Sequence, residues 1–184
     1  MRLFTAIEIS EDVRTRLERL IAHLRPTAHV KWSPVYNLHI TLKFIGEWPA
    51  DELEKLQSAL SRVTPRAPLP IDVRGVGWFP NPHHPRVFWA GIVGTPALPA
   101  LAADIQNALL PLGVAKDERE FSPHLTLARI KQPTPMDSLR QAVCDLESVD
   151  FGDFLADRFC LYRSQPGSAG SIYTKLTEYP FTTT

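Results

Sequence analysis

The chain has 184 residues, 44% of them hydrophobic and 22% charged, and its 20 basic side chains balance its 20 acidic ones. These values are typical of one globular domain, and zero net charge excludes the broad positive surface that long nucleic acids need. No apolar run approaches the roughly 20 residues of a membrane span, and the amino terminus has the pattern of a strand, not of a signal peptide. Cys144 and Cys160 lie on different predicted elements, so we expect two reduced thiols and a cytoplasmic protein.

The first half of the chain alternates strands and helices. Ser10 is a typical N-cap, because its hydroxyl can accept a hydrogen bond from the first helical turn, and Pro26 ends that helix. Residues 75–86 are rich in glycine, proline and aromatic side chains, which predicts a long ordered loop. Apolar spacing predicts a strand at 3–9, a helix with the stripe Val13, Leu17, Leu20, Ile21 and Leu24, a connection at 31–36, a strand at 38–45, a helix with the stripe Leu53, Leu56, Leu60 and Val63, and a strand near 71–73.

The second half repeats this order. Thr95 followed by Pro96 predicts an N-cap and a first helical residue, and Thr134 with Pro135 opens another helix. Apolar spacing predicts a strand at 87–93, a helix with the stripe Leu98, Leu101, Ile105 and Leu109, a strand at 121–130, a helix with the stripe Leu139, Ala142, Val143 and Leu146, and strands at 158–162 and 172–179.

One short motif occurs in both halves, as His39-Ile40-Thr41-Leu42 and as His124-Leu125-Thr126-Leu127. Side chains alternate faces along a strand, so each motif places a histidine and a threonine on one face and two aliphatic residues on the other. The two histidines are 85 positions apart, and the same offset joins Phe4 to Trp89, Ala6 to Gly91 and Ile7 to Ile92. The constant offset indicates an internal duplication.

We therefore expect a single domain over residues 1–184, made of two pseudo-symmetric lobes at about 1–80 and 85–184. Each lobe would be a β-α-β-α-β unit, which makes the fold class α+β. A pseudo-two-fold axis between the lobes would bring equivalent strands together, so that the two histidines face each other across a shared cleft.

Two opposed imidazoles suit an in-line displacement at phosphorus. One, neutral, accepts a proton from the attacking water, and the other, protonated, donates to the departing oxygen. Thr41 and Thr126 would hold non-bridging phosphoryl oxygens, and the guanidinium of Arg129 matches phosphate geometry. Strand alternation places Arg129 on the opposite face from His124, but it lies near the strand end, where a long side chain can curl back.

No cofactor is expected. The chain contains no H-E-x-x-H, no C-x-x-C and no carboxylate-rich loop, so a metal is not expected. It also contains no G-x-x-x-x-G-K-[ST] and no G-x-G-x-x-G, so nothing indicates use of a nucleoside triphosphate. Acid–base catalysis without a metal requires an activated diester, such as a strained 2′,3′-cyclic phosphate.

Residues 39–46 and 122–129 resemble the paired H-x-T-x signatures of the two-histidine (2H) phosphoesterases. They are most similar to the RNA 2′,3′-cyclic phosphodiesterase branch, also called LigT-like or 2′-5′ RNA ligase. Further segments resemble that branch over nearly the whole chain, namely residues 2–7, Trp32, residues 79–81, residues 85–91 and residues 173–181.

The resemblance implies a two-lobed α+β fold with antiparallel sheets around a central cleft. It also implies hydrolysis of an RNA 2′,3′-cyclic phosphate to a 2′-phosphomonoester, with His39 as proton donor, His124 as proton acceptor, and Thr41 and Thr126 on the phosphate. Symmetry alone does not assign donor and acceptor. Ligation through a 2′-5′ linkage would be the same transfer run backwards. The expected partners are RNA with a cyclic phosphate end or small nucleoside cyclic phosphates, bound by a monomer.

Several alternatives stay open. A nucleotide or an ADP-ribose-derived cyclic phosphate is a second substrate class, and a module that binds nucleotides or RNA ends without turnover is a second function. Lys43 and Arg86 are further candidate substrate contacts, against a surface lysine and a structural ion pair. Four aromatic residues are candidates for base stacking, although packing is favoured for each: Trp32, Trp78, Phe79 and Trp89.

Overall fold

Four α-helices and nine β-strands form in residues 1–63, 66–93, 95–168 and 170–182, the part of the chain that the structure, a computed structural model, describes. The helices are α1 (Glu11–Leu24), α2 (Leu53–Leu60), α3 (Ala97–Leu109) and α4 (Asp137–Cys144). The strands are β1 (Arg2–Glu8), β2 (Lys31–Trp32), β3 (His39–Glu47), β4 (Leu69–Phe79), β5 (Val87–Val93), β6 (His124–Arg129), β7 (Asp150–Ala156), β8 (Arg158–Gly167) and β9 (Gly170–Pro180).

The predicted helices are present, and their apolar stripes face the core. The hydroxyl of Ser10 accepts a hydrogen bond from the Val13 N–H at 3.3 Å, which is the predicted N-cap of α1. All five residues of the α1 stripe and all four of the α3 stripe are buried. The predicted cap at Thr95 is wrong, because α3 starts after Pro96 and has no side-chain cap. Of the α4 stripe only Leu139 is buried.

Every strand pair is antiparallel, and the strands form two sheets. The first sheet has the order β3-β1-β8-β9, and the second has the order β2-β6-β5-β4-β7. The two sheets are built alike, since each has a His-x-Thr strand beside the first strand of its own half. The α+β class with antiparallel sheets and two pseudo-symmetric lobes is therefore confirmed.

The two halves of the chain exchange strands. From the first half, β2 and β4 join the second sheet, and from the second half β8 and β9 join the first sheet. The expected lobe boundary at residues 80–85 therefore does not coincide with the sheets. The reason is strand pairing across the middle of the chain: β4 turns back directly onto β5, and β8 returns from the second half to lie beside β1.

Three stretches of strand differ from the prediction. β2 lies in the predicted connection, β7 was not predicted, and β4 continues to Phe79, so the predicted loop at 75–86 is wrong for residues 75–79. A Cβ at Gly77 would overlap the ring of Trp89 on the neighbouring strand. Glycine at this position therefore permits close approach of a side chain to the strand and does not mark a loop.

The offset of 85 residues holds for the two His-x-Thr motifs but not for the residues of β1 and β5 that pair with them. In the first sheet Glu8 pairs with His39 and Ala6 with Thr41, whereas in the second sheet Gly91 pairs with His124 and Trp89 with Thr126. The equivalent of Ala6 is thus Trp89, not Gly91. A slip of two residues leaves every side chain on its original face, so the hydrophobic pattern tolerates it.

The large core joins the helices to the aliphatic faces of β3 and β6. Ile40, Leu42, Leu125 and Leu127 all belong to it and are at most 3% exposed. The opposite faces, which carry the histidines, border the cleft. Within the ranges described, none of the helices combines the length and apolar character needed to cross a bilayer.

Candidate active site

The structure brings the two histidines together in the cleft. His39 and His124 are the first residues of β3 and β6, and these strands approach within 8 Å between Cα atoms. The imidazoles are close enough for the charge of His124 to lower the pKa of His39. Thr41 and Thr126 are half-buried and follow on the same strand faces. The aliphatic side of each strand is anchored in the core, which holds the polar side towards the cleft.

Both imidazoles have the same tautomer when neutral. Nδ1–H of His39 donates to the carbonyl oxygen of Asn37 at 2.6 Å, and Nδ1–H of His124 donates to that of Ser122 at 2.7 Å. A carbonyl oxygen only accepts, so Nδ1 carries the hydrogen and Nε2 is the nitrogen left to exchange protons with a ligand.

Both histidines have a lowered pKa in the free protein, which favours the neutral imidazole. Burial lowers the pKa of His39 to about 4, against the hydrogen bond to Asn37, and the positive charges of Arg129 and His124 add to the effect. Burial also lowers the pKa of His124, with a further contribution from Arg129. An anion bound between the rings would oppose these effects and raise both pKa values.

A β-bulge decides the orientation of Arg129. Trp89 pairs with Thr126 and Phe88 with Ala128, so Leu127 is an extra residue in β6. Leu127 and Ala128 are both buried, and the alternation then resumes with Arg129 exposed on the cleft face. The expected alternation, which placed Arg129 on the opposite face, is wrong for this reason. The influence of its charge on both histidines agrees with this position.

Phe44 is a cleft residue that the sequence analysis missed. β3 contains a bulge at Leu42, equivalent to the bulge in β6, and Phe44 follows it as Arg129 does. Its side chain is 59% exposed. Its ring centroid lies 6.2 Å from that of Phe4, which lies 4.9 Å from His39. The signal was present in the sequence, because Phe44 and Arg129 both stand five positions after a motif histidine.

Lys43 does not contact the cleft. The bulge places it on the core side of β3, where it is 2% exposed. Its ammonium pairs with Asp117 at 2.7 Å and donates to the carbonyl oxygen of Ala115 at 2.8 Å. The expected substrate contact is therefore replaced by a structural ion pair.

Arg86 is exposed and precedes β5. Its guanidinium donates weakly to the carbonyl oxygen of Lys131 at 3.5 Å, and its backbone pairs with Phe79 and Ile130. These contacts hold the end of the strand and give no indication of a ligand.

Aromatic rings hold both imidazoles in place. Phe4 and Tyr173 pack on His39 with centroids at 4.9 and 5.2 Å, and Phe79 packs edge-on against His124 at 5.0 Å. Of the candidates for base stacking, Trp32 and Trp78 pack on Phe88, and Trp89 packs on Phe79. Such packing restricts ring rotation and adds to the burial that lowers the pKa of each histidine.

The described residues contain one group of three potential metal ligands: Glu8, Cys160 and Glu178. The ammonium of Lys175 already lies between the carboxylates, at 2.9 Å from Glu8 and 2.8 Å from Glu178. Burial raises the pKa of the Cys160 thiol to about 11, so it stays protonated. This chemistry does not suit a metal ion.

Two antiparallel sheets around a cleft, with a His-x-Thr strand on each side, define the class of two-histidine phosphoesterases. The comparisons with known proteins agree. The family model described as LigT like Phosphoesterase matches residues 7–89 and 93–173. The chain therefore belongs to the LigT-like phosphoesterase family, as the sequence analysis predicted.

Individual relatives cover nearly the whole chain. A protein of Archaeoglobus fulgidus named RNA 2′,3′-cyclic phosphodiesterase is 35% identical over 176 residues, which are 96% of this chain and 98% of that protein. A crystal structure from Thermus thermophilus aligns with a TM-score of 0.83 at 32% identity and covers 98% of both chains. The structure of E. coli LigT with 3′-AMP aligns with a TM-score of 0.79, covering 99% of this chain and 98% of the other; at 24% identity it shows the fold alone.

Proposed function

We propose that the protein hydrolyses the 2′,3′-cyclic phosphodiester at the end of an RNA chain to a 2′-phosphomonoester. The observation that carries this proposal is the matched pair of imidazoles. Each is locked at Nδ1 by the carbonyl two residues before it, and each is followed by a threonine on the same strand face. The name of the Archaeoglobus fulgidus relative supports the substrate class.

In the proposed reaction, water attacks phosphorus while Nε2 of His124 accepts its proton. The bond from phosphorus to the 3′ oxygen breaks, and Nε2–H of His39 donates its proton to that oxygen. The hydrogen bond of His124 is exposed whereas that of His39 is half-buried, which favours His124 as the residue that meets water. The donor and acceptor roles otherwise follow the family resemblance.

Thr41, Thr126 and Arg129 would stabilise the charge on the non-bridging oxygens, which is greatest in the transition state. The guanidinium also favours entry of the phosphate, and the bound phosphate in turn raises the pKa of the donor histidine, so that the donor is protonated when needed. Binding and proton loading are thus coupled.

Phe44 would hold the terminal base. It is an exposed aromatic side chain on the same face as His39 and Thr41, and stacking on aromatic rings is the usual way to bind an unpaired base. The structure of the E. coli neighbour is a complex with 3′-AMP, which agrees with a nucleotide as ligand.

Two further parts belong to the same proposal. Ligation through a 2′-5′ linkage is the same transfer with a ribose hydroxyl in place of water. A cytoplasmic location agrees with Cys144 and Cys160, which are both free thiols.

The proposal is tested by incubation with a nucleoside 2′,3′-cyclic phosphate in the presence and absence of EDTA. We expect turnover to the 2′ isomer in both, with a bell-shaped dependence on pH. Binding without turnover would support the module that only binds. Loss of turnover on chelation would overturn metal-independent catalysis.

A further inference from the structure

A second recess opens beside the catalytic centre. It is a cavity of about 240 Å³ between the start of β3 and the strands β1, β8 and β9, and His39 forms part of its wall. Its rim carries two apolar side chains that are unusually open to solvent, Tyr36 at 74% and Ile172 at 56% exposure. Tyr36 belongs to a 3-10 turn, Val35–Asn37, which is separated from β3 by one residue, Leu38.

The walls of this recess are held in place by hydrogen bonds between distant parts of the chain. The amide of Asn37 donates to the carbonyl oxygen of Ser171 at 2.8 Å, which joins the turn to β9. Glu8 accepts from the hydroxyl of Tyr162 at 2.8 Å and from the ammonium of Lys175 at 2.9 Å. The carboxylate is thereby neutralised and fixed, so it does not repel an anionic chain from the recess.

Tyr36, on the rim of the recess, precedes β3, whereas Phe44 lies in the second half of that strand. Along the chain, Tyr36 stands three residues before His39, and Phe44 stands three residues after Thr41. Both aromatic rings are exposed, and His39 and Thr41, which stand between them in the chain, contact the reacting phosphate in the proposed function.

The stereochemistry of ribose matches this arrangement. In a nucleoside 2′,3′-cyclic phosphate the base is attached beside C2′, and the chain towards the 5′ end leaves from the carbon beside C3′. With the phosphate between the histidines, the base and the preceding nucleotide extend to opposite sides. If Phe44 stacks the terminal base, the rest of the RNA leads to the recess beside His39.

We propose that this recess binds the nucleotide that precedes the cyclic phosphate end, with its base against Tyr36 and Ile172. The inference rests on the proposed function and extends it, because it makes an RNA chain of at least two nucleotides the preferred substrate. Stacking accepts any base, so the subsite selects for chain length and not for sequence. A short apolar and aromatic rim next to the catalytic site also explains how a chain with zero net charge holds RNA.

The test compares kcat/KM for a nucleoside 2′,3′-cyclic phosphate with that for a dinucleotide that ends in the same group. We expect the wild type to favour the dinucleotide, and Tyr36→Ala to lower its kcat/KM about tenfold while the mononucleotide changes less than about twofold. Tyr36→Trp should keep the preference, because the aromatic face is retained. Leu155→Ala is the matched control, since Leu155 is 68% exposed and lies outside the recess.

Equal rates for the two substrates in the wild type, or equal losses for both in Tyr36→Ala, would overturn the subsite while the proposed function stands. If neither substrate is turned over, the proposed function fails and the subsite is decided by calorimetric binding. A dinucleotide ending in a 2′-phosphate must then bind more tightly than a nucleoside 2′-phosphate, with the difference lost in Tyr36→Ala; no difference would overturn it.

Discussion

The two walls of the cleft have the same backbone plan and different side chains. On both, the histidine starts the strand, a threonine follows on the same face, and a bulge comes next. On both, Nδ1–H donates to the carbonyl two residues earlier, at 2.6 and 2.7 Å. After the bulge, however, the wall of His39 presents Phe44, whereas the wall of His124 presents Arg129.

This difference makes two walls with the same backbone plan into an asymmetric site. The shared part places one imidazole on each wall. Two like groups do not by themselves distinguish the nucleobase of a ligand from its phosphate. The second position after the bulged residue, Phe44 on one wall and Arg129 on the other, breaks the symmetry, because an aromatic ring suits a nucleobase and a guanidinium suits phosphate oxygens. The following experiments test whether the walls are equivalent where they are alike and different where they differ.

The largest effect is expected from the shared histidines. His39→Asn and His124→Asn should each lower kcat on the order of 10³-fold, because each removes one proton transfer. The double variant should lose little more than either single one, since the two act as a unit. The rate of cyclic phosphate hydrolysis measures this, and His23→Asn, on the exposed face of α1, is the control. Near-normal turnover in either motif variant would contradict its role.

The next effect separates the walls. Arg129→Gln should lower kcat about 10²-fold, because a donor to the transition-state charge is lost. Phe44→Ala should instead raise KM about tenfold and leave kcat nearly unchanged, because it holds only the base. Arg86→Gln, which removes an exposed guanidinium that contacts a backbone carbonyl, controls for loss of charge. Similar kcat losses in the Arg129 and Arg86 variants would refute the assignment.

A smaller effect concerns stability and pH. Burial lowers the pKa of His39 from 6.5 to about 4 in the folded protein. Between these pH values His39 is protonated in the unfolded chain but not in the folded protein. The contribution of the neutral, buried His39 to the free energy of unfolding is therefore complete above pH 6.5 and is lost as the pH falls towards 4. On going from about pH 7 to about pH 5, the wild type should lose about 1–2 kcal/mol more unfolding free energy than His39→Asn. Urea unfolding of both proteins at both pH values measures the difference, and equal losses would show that folding does not lower the pKa of His39.

The smallest effect is expected at Lys43, the residue after the first bulge. Lys43→Met should change kcat/KM less than about threefold and the unfolding free energy by about 1 kcal/mol, because Asp117 is 53% exposed and is not stranded without its partner. Kinetics and urea unfolding measure the two quantities, with Asp117→Asn as the matched variant. A tenfold loss of kcat/KM in Lys43→Met alone would restore the substrate contact that the fold argues against.

Sequence reasoning succeeded where a local rule carries the information. Ser10 caps α1 and its stripe is buried, because helical spacing and capping depend on neighbouring residues. Alternation of side chains along a strand also predicted that the histidine and threonine of each His-x-Thr motif share one face. The prediction from sequence failed where a strand pairs with a segment that is distant in the chain. Among the described strands, the short β2 pairs only with β6, and β7 pairs only with β4.

The sequence by itself determined the two histidines, the two threonines, their faces and the duplicated order of elements, since all of these follow from residue identity and periodicity along one strand. The tertiary structure decided the exchange of strands between sheets, the two-residue slip beside the motifs, and the bulges that direct Arg129 and Phe44 to the cleft and Lys43 to the core. The physical reason is that a bulge is an extra residue relative to the neighbouring strand. Its position therefore depends on a strand that is distant in the chain.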